Sequence, residues 1–226
     1  MLVLTLDTAT PAVTAGVVRV DADGVQVCAE QVVVDPRRHG ELLAPAVRDV
    51  IRDAGTVPGE IDAVVAGVGP GPFTGLRVGL VTAVSFADAV GIPTYGVCSL
   101  DAVATAADPV TGGRLLVATD ARRREVYWAV YADGGRTAGP AVTRPAELAG
   151  RLAALGVTAM AGAGAATYAD VLGLPLVEPP YPTVAGLTHL AASRVLERGP
   201  AEPLTPLYLR RPDAVPPAAR KSVTPA

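Results

Sequence analysis

Two stretches decide the fold: Leu2-Val-Leu-Thr-Leu-Asp7-Thr8 near the start, and Leu115-Leu-Val-Ala-Thr-Asp120-Ala121 at mid-chain. Each is an apolar run of strand length that ends on an aspartate and then a turn. Each is followed by another strand pattern, Val13 to Val20 in the first case and Glu125 to Tyr131 in the second. A motif that returns at such a distance predicts a duplicated architecture rather than one continuous sheet.

Working outward from the first copy, Asp21-Ala-Asp-Gly24 predicts a hairpin turn, and Val25 to Val34 returns as the next strand. Leu42, Leu43, Ala46, Val47, Val50 and Ile51 recur at helical spacing over His39 to Asp53, with Gly55 as the stop signal. A buried strand is expected over Ile61 to Val68, a helix over Gly75 to Val90, a strand over Pro93 to Val97 and a short helix over Ser99 to Ala107. The second copy continues with helices near Glu147 to Leu155 and Ala165 to Leu172, a strand near Ala159, and a long helix over Val184 to Arg198. Two βββαβα-type halves, each opening on strand, aspartate, turn and strand, are the pattern of an α/β actin-like ATPase (ASKHA) fold. The expected division is a first lobe over 1–108, a second over 109–212 and a proline-rich flexible tail over 213–226.

Half of the 226 residues are hydrophobic, while aromatic side chains make up only 4%, so the expected core is aliphatic. The formal charge is −3, with no basic excess of the kind an autonomous nucleic-acid binder shows, and any RNA contact is expected to come through partners. Two cysteines, Cys28 and Cys98, without a CxxC pair, fit a reducing compartment and exclude a cysteine-built zinc site. The first residues reach the carboxylate of Asp7 too early for a secretory leader, and glycine and proline break the longest uncharged stretches. A cytoplasmic protein that spans no membrane is the expectation.

The segment Gly67-Val-Gly-Pro-Gly-Pro-Phe-Thr-Gly-Leu-Arg77 lies between a buried strand and a helix. One reading is a phosphate cradle: Gly69, Gly71 and Gly75 admit close backbone approach, Thr74 caps the helix, and Arg77 adds charge-assisted bonds to an anion. The other is a tight strand-to-helix connection stiffened by prolines. No lysine follows the last glycine, so the segment is not a Walker loop. Asp7, with Thr8 beside it, and Asp120 carry a similar choice between facing a nucleotide cleft and closing an Asx turn. His39 reads as a surface or capping residue and His189 as structural. Neither has a His or Cys at ligand spacing. There is no G-x-S-x-G elbow, and Ser85 and Ser99 lack an activating context, which argues against a hydrolase. Arg122-Arg123-Arg124 is a charge run that meets either phosphate or solvent.

Together, Leu4 to Thr10, His39-Gly-Glu-Leu-Leu-Ala-Pro45, Gly69 to Arg77 and Tyr208-Leu-Arg210 resemble the TsaB (YeaZ) family. The resemblance extends to about Asp213. It implies an actin-like two-lobed fold and a non-catalytic scaffold or activator subunit of the bacterial machinery that forms N6-threonylcarbamoyladenosine in tRNA, next to the anticodon. It implies partnership with the catalytic paralogue TsaD and the ATPase TsaE, a homodimer when the chain is alone, and tRNA contact only through the complex. No cofactor is then required, although weak ATP or ADP binding at a vestigial site of Asp7, Thr8, Gly69, Gly71, Thr74, Gly75 and Arg77 is allowed. The catalytic paralogue carries a His-x-x-x-His metal motif, and Ser99 and Val103 stand at the matching positions here. Family members dimerise through the first lobe, which places the expected partner surface on His39, Leu43, Val47, Leu76, Gly79, Leu80, Ala83, Val84 and Ala87. The alternative function is an actin-like kinase or carbamoyltransferase acting on a small molecule.

Overall fold

A computed structural model describes residues 1–107 and 113–210. The flexible tail expected over 213–226 lies outside the described residues. The first sheet is built from β1 (Leu2–Asp7), β2 (Ala12–Asp21), β3 (Gly24–Val34), β4 (Ala63–Gly67) and β5 (Thr94–Val97), in the order β3-β2-β1-β4-β5. Its helices are α1 (His39–Asp53), α2 (Phe73–Val90) and α3 (Ser99–Ala106). The second sheet contains β6 (Arg114–Asp120), β7 (Val126–Ala132), β8 (Gly135–Thr143), β9 (Val157–Ala161) and β10 (Leu176–Val177), in the order β10-β9-β6-β7-β8. Helices α4 (Pro145–Leu152), α5 (Ala163–Thr167), α6 (Ala169–Leu172) and α7 (Val184–Leu196) complete the chain.

The duplication extends to strand pairing. β1 runs antiparallel to β2 and parallel to β4, and β6 runs antiparallel to β7 and parallel to β9. Asp7 lies opposite Thr14, and Asp120 opposite Val126, so the two aspartates close equivalent strand ends. This is an α/β actin-like fold. β8, with Gly139 and Pro140 inside it, carries no strand signal in the sequence. It is the edge strand, where a residue without an N–H is tolerated.

β1 is buried on both faces, and its alternation sorts the core. Leu4 and Leu6 pack with Leu43, Val47, Leu76 and Leu80 of α1 and α2. Val3 packs with Val65, Tyr95, Val184, Leu187, Ala191 and Val195, and the hydroxyls of Thr5 and Thr188 meet at 2.7 Å. Helix α7 therefore covers the first sheet and not the second, which corrects the expected lobe boundaries. The physical reason is that α1 and α2 occupy one face, while the helix that follows β5 turns away to the other sheet. Leu100 and Val103 of α3 pack with Val117, Tyr127, Ala129 and Tyr131 of β6 and β7. That leaves the apolar face around Val3 and Val65 to the end of the chain. The last segment follows α7 back: Glu202 N–H donates to the Thr94 carbonyl, and Leu207 N–H to that of Val68. Arg210 then reaches the second lobe, donating to the Ala121 carbonyl at 2.9 Å and pairing with Glu125.

Two local features contradict or exceed the sequence reading. α2, at 18 residues and mean hydropathy 1.4, is long and apolar enough to cross a membrane, yet it lies along the sheet with a third of its length buried. The β6–β7 turn passes through three successive left-handed residues, Arg122, Arg123 and Arg124, at φ 62°, 53° and 60°. That conformation costs a non-glycine residue roughly 1–2 kcal/mol.

If α7 closes the first core, Leu187→Ala should destabilise the chain by about 2–5 kcal/mol in urea unfolding. His189→Ala, on the exposed side of the same helix, should stay within about 0.5 kcal/mol. Equal effects would place the helix elsewhere.

Candidate functional site

The Asp7–Pro11 turn, the 67–77 loop and the first turn of α3 meet at the C-terminal ends of β1 and β4. Asp7 is 1% exposed and both carboxylate oxygens are occupied. Oδ1 accepts the Ala9 N–H at 2.9 Å, and Oδ2 accepts the Ser99 hydroxyl at 2.5 Å. Ser99 in turn locks the loop: its Oγ accepts the Gly69 N–H at 3.2 Å, and its own N–H donates to the Gly69 carbonyl at 2.8 Å. Burial pushes the Asp7 carboxyl up to about 6, against the two hydrogen bonds that favour its ionised form. Asp120 repeats the smaller half of this arrangement, with Oδ1 accepting the Arg122 N–H at 2.9 Å. Both aspartates thus close Asx turns.

The loop glycines face protein. A Cβ on Gly67 would overlap the Asp7 carboxylate, and one on Gly71 would overlap the Ala9 carbonyl. Thr8 is equally committed: its hydroxyl donates to the Gly75 carbonyl at 2.8 Å and accepts the Gly79 N–H at 3.0 Å. It bridges two backbone groups four residues apart in α2, the pair that an uninterrupted helix joins directly. Thr74 is not the cap, because α2 begins at Phe73 with Pro72 before it. Arg77 points away from the loop: its Nε donates to Tyr208 Oη at 2.9 Å, and its guanidinium lies 3.6 Å over the Phe73 ring. The rings of Phe73 and Tyr208 stack at 5.2 Å. Of the seven residues expected at a phosphate site, Asp7, Thr8, Gly69, Gly71 and Gly75 converge, but to hold the loop and α2 against β1. Thr74 is exposed and Arg77 sits on another face.

A cavity of about 320 Å³ does open beside this junction, between the lobes. Thr8, Thr10, His39, Thr74, Asp120 and Arg122 contribute to its wall. His39 Nε2–H donates to the Thr10 carbonyl at 2.8 Å, which fixes the tautomer and ties α1 to the β1–β2 turn. Ser99 bonds to a carboxylate with no imidazole between them, so no hydrolase triad forms here. Ser99 and Val103 are both fully buried, and Val103 belongs to the core between the lobes. Among the described residues no three His, Cys, Asp or Glu side chains cluster as a metal site.

The expected partner surface needs correction. Leu43, Val47, Leu76, Leu80, Ala83 and Ala87 are each no more than 7% exposed, and Gly79 is buried against Thr8. These residues fill the lobe's own core, because they lie on the faces by which α1 packs on β2 and β3 and α2 packs on β4 and β1. His39 is half-buried on the Thr10 carbonyl. Of the nine, only Val84 is exposed, at 41%. The open apolar stripe of α2 is Phe73, Val81 and Val84, at 44%, 64% and 41% exposure, with Arg77 between them. Sequence periodicity finds this helix apolar nearly all round but does not say which side the sheet takes. The Ser99–Gly69 lock and the Tyr208 stack join residues far apart in sequence and carry no local signal.

Residues 29–196 match the family described as TsaD, tRNA N6-adenosine threonylcarbamoyltransferase. An uncharacterized protein of Mycobacterium tuberculosis is 52% identical over 95% of this chain and 94% of its own length. The Escherichia coli tRNA threonylcarbamoyladenosine biosynthesis protein TsaB is 41% identical over 42% of each chain. A Pseudomonas aeruginosa crystal structure, described as an uncharacterized protein with similarity to peptidase YeaZ, superposes with a TM-score of 0.74. It is 30% identical and covers 92% of this chain and 99% of its own.

Asp7 provides a pH test. Its carboxyl titrates near 6 when folded and near the ordinary value of about 3.9 when unfolded, so the folded state holds its proton more tightly. The contribution to stability is full below pH 4 and is lost as pH rises through 6, on the order of 3 kcal/mol. Urea unfolding of Asp7→Asn should lack this component between pH 4 and 6.5 and should match or exceed the wild type at pH 7. An unchanged pH profile would show that the carboxyl is not desolvated as described.

Proposed function

The chain belongs to the TsaD family, among relatives that carry the TsaB and YeaZ names, and from that premise we propose that it is a non-catalytic subunit in the formation of N6-threonylcarbamoyladenosine in tRNA. It works in the cytoplasm, pairs with a TsaD-type catalytic subunit, and contributes to a complex that also contains a TsaE-type ATPase. Without them it pairs with itself.

The observation that carries the non-catalytic reading is the Asp7–Ser99 junction. The position where the catalytic paralogue places an imidazole holds Ser99, and its hydroxyl is spent on Asp7. The second ligand position is Val103, a fully buried hydrocarbon. Converting these groups to a metal site would uncouple the loop from α3 and open the core between the lobes. The same junction speaks against a nucleotide requirement, since Asp7, Thr8 and the loop glycines are engaged by protein. The partner surface is the α2 stripe of Phe73, Val81 and Val84, which burial against another subunit would remove from water.

Reconstituted modification of an unmodified tRNA by TsaD- and TsaE-type partners should depend on adding this chain. Equal modification without it would overturn the proposal. Val81→Asp and Val84→Asp should abolish co-elution with the catalytic subunit and reduce modification to the level seen without the chain. Both should melt within a few degrees of the wild type, because an exposed charge costs the free subunit little. Leu80→Asp, one position away but buried, should instead unfold the monomer.

A further inference from the structure

The sequence Tyr208-Leu-Arg210 takes no part in the Asp7 junction, and its three side chains go to three different places. Leu209, with Leu207 before it, packs against the core between the lobes, where Leu100 of α3 meets Val117 and Tyr127. Tyr208 stays exposed and stacks on Phe73 of α2, with the ring centroids 5.2 Å apart. Arg210 reaches the β6–β7 turn of the second lobe, where it meets the Ala121 carbonyl and Glu125. The backbone is fixed on the first lobe by the bonds from Glu202 N–H to the Thr94 carbonyl and from Leu207 N–H to that of Val68. Val68 stands at the start of the loop that leads into α2.

Among the described residues, Phe73 and Tyr208 are the only exposed aromatic side chains, and they lie against each other. Phe73 is also the first residue of α2 and the start of its open apolar stripe. The Tyr208 ring therefore continues that stripe onto the last described segment of the chain. Arg77 holds the pair together, with its guanidinium on the Phe73 ring and its Nε–H on Tyr208 Oη. Tyrosine and arginine are the residue types that most often dominate the binding energy of a protein interface. A stacked ring also loses little freedom when a partner covers it.

We propose that residues 202–210 form a strap that links two events: seating of the catalytic subunit on the α2 stripe, and docking of the strap across both lobes. Tyr208 is the group the two events share. A partner that covers Phe73 covers the ring stacked on it, and a strap that lifts away leaves the partner an incomplete surface. Each event favours the other by the same factor, as thermodynamic linkage requires. Arg210 is a positioning residue: it anchors the strap on the second lobe and so sets where Tyr208 sits. Naming the catalytic subunit as the occupant rests on the proposed function, because Tyr208 is contiguous with the face assigned there.

The test measures the affinity of the full chain for a TsaD-type catalytic subunit, together with amide hydrogen exchange at Leu207 in the free and bound chain. Tyr208→Ala should weaken binding at least about 10-fold. Tyr208→Phe, which keeps the stack, should stay within about 3-fold of the wild type. Arg210→Gln, remote from the stripe, should still weaken binding about 5-fold or more. Glu125→Gln removes the same anchor from the other lobe and should repeat that loss, with no further loss in the double variant. All of these variants should melt within a few degrees of the wild type. Exchange of the Leu207 amide should slow on binding by at least the factor that Arg210→Gln costs in affinity. Wild-type affinity in Tyr208→Ala and in both anchor variants, or equal Leu207 exchange in the free and bound chain, overturns the strap. A loss confined to Tyr208→Ala reduces Tyr208 to a simple contact and also overturns the link. If the wild type does not bind the catalytic subunit at all, the proposed function falls and the strap falls with it, whereas wild-type binding with unchanged variants removes the strap alone.

Discussion

The Asp7 carboxylate, buried between the Ser99 hydroxyl and the Ala9 amide, is the contact on which the first lobe is organised. A charge with so little access to water is tolerated only when its acceptor sites are filled, and here the two donors come from different elements. One is the turn that follows β1, and the other is the first residue of α3. Ser99 also grips Gly69 from both sides of its own backbone and side chain, so the loop leading into α2 inherits its path from the same point. Thr8, the next residue, then sets the height of α2 over the sheet through Gly75 and Gly79.

In this arrangement a loop with the composition of a phosphate cradle packs against protein at Gly67 and Gly71. Glycine serves two purposes that look alike in a sequence: letting a ligand approach the backbone, and letting the rest of the protein approach it. Gly67 and Gly71 serve the second, with Asp7 and Ala9 in the space a ligand group would need. The strand-end aspartates stand at equivalent positions in the two sheets, and the Asp7 side chain is turned into the protein. A cavity between the lobes persists beside the junction, bordered by threonines, His39 and arginine.

The strand-aspartate repeat, the hairpin at Asp21 to Gly24 and the helical stripe of α1 were legible in the sequence because each is local: a period, a turn residue, a boundary. The destination of α7 was not. Val184, Leu187, Ala191 and Val195 announce a helix with an apolar face, but nothing nearby says which sheet needs it. The same limit misplaced the partner surface. Leu80 and Val81 are neighbours of similar hydrophobicity, and only the packing of α2 on β1 and β4 makes one core and the other surface. The Arg77–Phe73–Tyr208 stack joins positions more than 130 residues apart and has no local trace at all.

The return of α7 to the first sheet has a consequence for synthesis. When β5 leaves the ribosome, the face formed by Val3, Val65 and Tyr95 has no cover, and the helix that supplies it lies roughly 90 residues further on. At roughly 5–20 residues per second that interval lasts on the order of 5–20 seconds, long compared with the collapse of a small sheet. The first sheet is therefore committed to wait, with an apolar surface open to chaperones or to other nascent chains, until α7 has been made. A message that ends early yields a fragment with a complete set of first-sheet strands and no means of hiding them.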